Sequence, residues 1–226
     1  MANRRTSSAG SRLAWLAGLL LVPLLAFGGK PDHVTDAEMA LLPPYCPDVY
    51  GFKYGDKYTN TSPNAPRWVA MMGNGFWAMH HYCWALINLS RINRANVPAH
   101  IQNGTRESAL GDMQYVIENT EPTFVILPEI YAKMGEVYLA MKNPSAAEAA
   151  YDKARSLKPN YWPAYAQWAE YLRRSGNPGK ARQIVEAGLA HAPESQALQR
   201  LARELATSPG GKSPRGAVAA DTPHPG

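Results

Sequence analysis

The chain has 226 residues, room for one ordinary domain with appendages, and at 46% hydrophobic and 18% charged it has the composition of a globular protein. Its formal net charge of +5 overstates the basicity of the folded part, because three of the 23 basic residues (Arg4, Arg5 and Arg12) lie in the first 28 residues. The other 20, set against 18 acidic residues, leave +2, which gives no case for a nucleic-acid partner.

Residues 1–28 read as an export signal. The three arginines precede an uncharged apolar run of 15 residues from Leu13 to Phe27. That is short for a membrane span, which needs about 20, and right for the apolar centre of a signal peptide. Ala26-Phe27-Gly28 places small residues two apart, which suits cleavage after Gly28. An uncleaved anchor is the alternative and the one route by which a membrane contact is expected. In either case the arginine-rich end stays cytoplasmic and the rest is exported, to the periplasm or cell envelope.

Residues 29–66 lack helical periodicity but carry Tyr45, Tyr50, Phe52, Tyr54 and Tyr58. Aromatic rings need a place to be buried, so the segment is read as an ordered, extended arm, with a flexible linker as the alternative. Cys46 lies in this arm and the other cysteine, Cys83, lies in the next segment. In an oxidising compartment an even pair is read first as a disulfide. A bond between them closes a loop of about 38 residues, worth roughly 4 kcal/mol in the chain-entropy model.

Residues 67–127 are expected to hold a long helix and then a shorter one. Trp68, Met72, Phe76, Met79, Cys83, Leu86 and Ser90 recur three or four apart, predicting one helix from Trp68 to about Asn93. Trp77, His80 or His81, and Trp84 form a second face, so this helix should be buried on more than one side. Leu110, Met113, Val116 and Ile117 predict another helix over Arg106 to Asn119. Asp112 and Glu118 are placed on its surface.

From Leu127 the chain repeats itself at 34 residues: Tyr131 with Tyr165, Tyr138 with Leu172, Asn143-Pro144 with Asn177-Pro178, Ala147 with Ala181, Tyr151 with Val185, Ala154 with Gly188, and Pro159 with Pro193. That period belongs to helix–turn–helix solenoids. Each unit, 128–161 and 162–195, reads as two amphipathic helices joined at Asn-Pro and ended by a proline. Such units bury their apolar faces only by stacking.

With Met134, Gly135, Trp168 and Ala169 added, eight positions fall in register twice and resemble the tetratricopeptide repeat. The resemblance implies an all-α solenoid of the tetratricopeptide type with an irregular N-terminal arm. Trp77, His80, His81 and Trp84 have the spacing of Tyr131, Met134, Gly135 and Tyr138. Residues 75–92 therefore read as the first helix of a divergent unit, completed by the helix at 106–119 after an insertion. Residues 196–206 read as a capping helix with Leu198, Leu201 and Leu205 inward. Residues 207–226 lack large apolar groups and read as a disordered tail. Leu42 to Cys46 and Met79 to Leu86 are also similar to segments of a group of exported bacterial repeat proteins, a resemblance that implies architecture and export but no chemistry.

The repeat resemblance implies that the first helix of each unit lines a concave groove. Its lining would be Tyr82, Glu129, Lys133, Glu136, Gln167, Glu170 and Arg174. Mixed charge there suits a polar peptide or protein partner. The chain carries no G-x-S-x-G, phosphate loop or dinucleotide fingerprint, so a non-enzymatic scaffold without a cofactor is expected. The alternative is a metal or redox protein built on Cys46, His80 and Cys83, a soft donor set suited to copper or zinc.

Overall fold

The computed structural model describes residues 29–53, 62–93 and 96–207. Residues 1–28, Tyr54, Tyr58 and the residues from Ser208 onward, on which the signal and tail expectations fall, lie outside these residues. The described part of the arm is ordered but not simply extended. Thr35 caps a one-turn helix, α1 (Asp36–Met39): its hydroxyl accepts from the Glu38 N–H, and the Glu38 carboxylate accepts in return from the Thr35 N–H. Arg91 then grips the same carboxylate through Nε at 2.7 Å and Nη2 at 3.1 Å, which ties the arm to a helix 53 residues on. Further along, Cys46–Asp48 form a 3₁₀ turn. Around it Tyr45, Cys46, Val49 and Tyr50 are buried, as the aromatic content of the arm required. Asp48 is buried too, and its carboxylate accepts from Ser62 Oγ, Asn64 Nδ2 and Trp68 Nε1.

The single helix expected from Trp68 to Asn93 is broken. α2 (Ala65–Met72) stops at Gly73, whose φ of +70° lies in the left-handed region that favours glycine. A 3₁₀ stretch, Gly73–Ala78, carries the chain to α3 (Met79–Ile92). The apolar stripe was continuous, but Gly73-Asn74-Gly75 within it marks the break. The next helix, α4 (Ala99–Glu118), begins just after Pro98, so most of the expected insertion before Arg106 is helical. α3 and α4 pack as an antiparallel hairpin.

The two clear units follow as α5 (Leu127–Ala140) with α6 (Pro144–Leu157), and α7 (Trp162–Arg174) with α8 (Pro178–His191). Their turns share one geometry. The Asn143 N–H bonds to the Tyr138 carbonyl and the Asn177 N–H to the Leu172 carbonyl. The preceding residue is left-handed in each, Lys142 at φ +60° and Gly176 at +81°. α9 (Gln196–Thr207) occupies the place of the next first helix, with Leu198, Leu201 and Leu205 buried and Arg200, Arg203 and Glu204 exposed.

Helix approach is set by small residues opposite large ones. A Cβ on Gly135 would lie 2.7 Å from the Tyr151 ring, and one on Gly188 would lie 2.9 Å from both Tyr165 and Leu198. Two apolar clusters result, one joining arm, α3, α4 and α5, the other joining α5 to α9. Tyr131 and Tyr138 border both, so the core runs on through the solenoid.

Candidate functional site

The residues expected in the groove lie on α3, α5 and α7, and several are bound to one another. Tyr82 Oη donates to Glu129 Oε1 at 2.9 Å across α3 and α5. Gln167 Nε2 donates to Glu136 Oε1 across α5 and α7, while Lys133 pairs with the other oxygen of Glu136. Glu170 accepts from Arg173 at 2.8 Å and from Arg174 at 2.7 Å. The Arg173 bond, with help from Arg174, holds the Glu170 carboxyl below the usual carboxylate range. The structure corrects the placing of Tyr82. It is 1% exposed and lies in the core, joining α3 to α5 rather than lining a surface. Burial, reinforced by the Glu129 charge, holds its phenol well above its ordinary range.

A cavity of about 230 Å3 opens between α3 and α5. Leu86, Leu89, Val137 and Ala140 give it an apolar lining, and Lys133, Glu136 and Arg106 supply charge. It is smaller than a drug-sized site and suits a single anchoring side chain. Arg106 was not among the expected lining. It reaches the cavity from α4, steadied by the amide oxygens of Asn103 at 3.1 Å and Gln102 at 2.9 Å. It could not be found from the first-helix rule because it belongs to a second helix.

The histidine–cysteine cluster is a joint between arm and solenoid. Cys46 and Cys83 are bonded to each other and fully buried. A soft metal site on Cys46, His80 and Cys83 would need both sulfurs as thiolates, and here each sulfur is the other's partner. His80 Nδ1 lies 2.9 Å from the Trp77 carbonyl, and its ring packs 4.0 Å from that of Tyr50. His81 points toward α4, stacked on Tyr115 at 3.8 Å, with Nδ1 2.6 Å from Asp112 Oδ1. The expectation that Asp112 lies on the helix surface is overturned: it is 3% exposed. Its place four residues after Ser108 and four before Val116, both buried, was the available signal. Glu118 is exposed, as expected.

Residues 128–205, from the first turn of α5 into α9, match the tetratricopeptide repeat family. This part of the chain is a tetratricopeptide-repeat segment, a scaffold class for protein–protein interaction. No curated protein matches the chain.

Proposed function

We propose that this protein is an exported, non-catalytic scaffold that holds a polar peptide or protein partner along its first-helix groove in an assembly of the cell envelope. The observation that carries this reading is the cavity between α3 and α5, where Lys133, Glu136 and Arg106 surround an apolar floor. Apolar anchoring with mixed charge at the rim is how a solenoid selects a segment of another chain. Export is supported by the arginine-led apolar run at the N-terminus and by the buried Cys46–Cys83 bond, which persists in oxidising compartments. The groove charges are spent on one another and not on a reaction geometry, which supports a binding role.

The test is a pull-down from the envelope fraction with the wild-type chain and the Glu136→Lys and Glu170→Lys variants. A partner retained by the wild type and lost with the variants supports the groove. An unchanged set of partners in both variants removes its support.

A further inference from the structure

A second concavity shares no lining residue with the cavity between α3 and α5. It is the space between the end of α2 and the connection from α4 to α5, with a volume of about 710 Å3. Met71, Met72, Phe124 and Val125 supply its apolar wall, and Glu118 and Glu121 stand on its rim. Met71 is 61% exposed and Val125 52%. Large apolar side chains this open, gathered around one hollow, mark a surface made for contact, and methionine adapts its shape to what it meets.

The hollow depends on local sequence. Gly73 turns the chain sharply out of α2 with φ +70°. Gly75 lets the Phe124 ring lie against the backbone, since a Cβ there would come within 2.6 Å of that ring. The charge at the rim is one-sided. The Glu118 side chain accepts from the Gln114 amide at 2.8 Å. Neither Glu118 nor Glu121 has an ion-pair partner among the described residues. An apolar wall under two uncompensated carboxylates complements a segment with a bulky apolar side chain flanked by cations.

We propose that this pocket binds a basic, apolar-anchored segment of a partner protein, with a Leu, Met or Phe side chain against Met71, Phe124 and Val125 and neighbouring Lys or Arg on Glu118 and Glu121. The two cavities share no lining residue, so one scaffold would hold two segments that differ in charge.

The probe is a random twelve-residue peptide library panned on the full exported chain, with the best peptide then measured by fluorescence anisotropy. Enriched peptides should carry Lys or Arg beside a bulky apolar residue. Their affinity should fall about tenfold in the Glu118→Lys/Glu121→Lys double variant, and weaken as salt is raised. It should return when the peptide's cations are exchanged for Glu. Both substituted positions are exposed, so an unchanged thermal melt will show that the fold is intact. Val125→Asp should also lose binding, by the apolar route. Enrichment of acidic or neutral peptides, no enrichment, or equal affinity for wild type and double variant would each overturn the proposal. Loss of binding in Glu136→Lys but not in the double variant would place the peptide in the groove, removing this inference and leaving the groove reading intact.

Discussion

His81 and Asp112 join α3 and α4, with Nδ1 and Oδ1 2.6 Å apart and the carboxylate buried beneath the partly exposed imidazole. The pair is unequal. Asp112 Oδ2 is buried with no hydrogen-bond partner among the described residues, whereas His81 keeps 21% of its side chain in solvent. Removing the histidine strands a buried carboxylate, and removing the aspartate leaves a ring that water can reach. His81→Ala should therefore cost about 3 kcal/mol and Asp112→Ala about 1 kcal/mol. Urea unfolding followed by circular dichroism measures both; equal costs would refute the asymmetry.

Gly135 and Tyr151 form a steric pair whose counterpart in the second unit is Ala169 with Val185. Where the second helix brings a ring, the first gives up its Cβ. Gly135→Ala should cost roughly 2 kcal/mol through overpacking. In the Tyr151→Val background the added methyl has room, and its penalty should fall by at least about 1 kcal/mol. A double-mutant cycle reads this coupling directly; additive effects would refute it.

Lys142 takes a left-handed backbone at the turn where the second unit uses Gly176. A lysine there bears a strain that glycine avoids. Lys142→Gly should stabilise the protein by about 0.5–1 kcal/mol, seen as a raised urea midpoint at unchanged slope. Gly176→Ala should destabilise it.

Acid should loosen the arm. The Arg91 guanidinium, with the Thr35 N–H, holds the Glu38 carboxyl down to about 2 from its ordinary 4.5. A carboxyl depressed on folding stabilises the folded state fully above its unfolded value, and loses that contribution as pH falls through its folded value. Hydrogen exchange of residues 29–53 should therefore rise, beyond its intrinsic pH dependence, between about pH 4.5 and 2. In Glu38→Gln that step should be absent.

The repeats were legible in the sequence because a solenoid writes its packing at a fixed interval. Gly135, Ala147 and Ala154 recur as Ala169, Ala181 and Gly188, and all are buried. The first 60 described residues were less legible because their order comes from contacts distant in sequence. Nothing local to Glu38 announces Arg91, and nothing local to Asp48 announces Trp68. Tyr82 was misplaced for a related reason. A first-helix position points either to the groove or to the next unit, and only the neighbouring Glu129 decides which. Asp112 was misread because a lone acidic residue on a helix is usually solvated; its histidine lies 31 residues earlier.

The central claim is that one face of the repeat array holds a partner. A photo-crosslinking side chain placed in turn at Lys133 and Gln167 on the first helices, and at Lys153 and Glu186 on exposed positions of the second helices, tests it in intact cells. The account predicts one shared cross-linked partner from Lys133 and Gln167, and none from Lys153 or Glu186. Equal cross-linking from both faces, or none from the first helices, would contradict it.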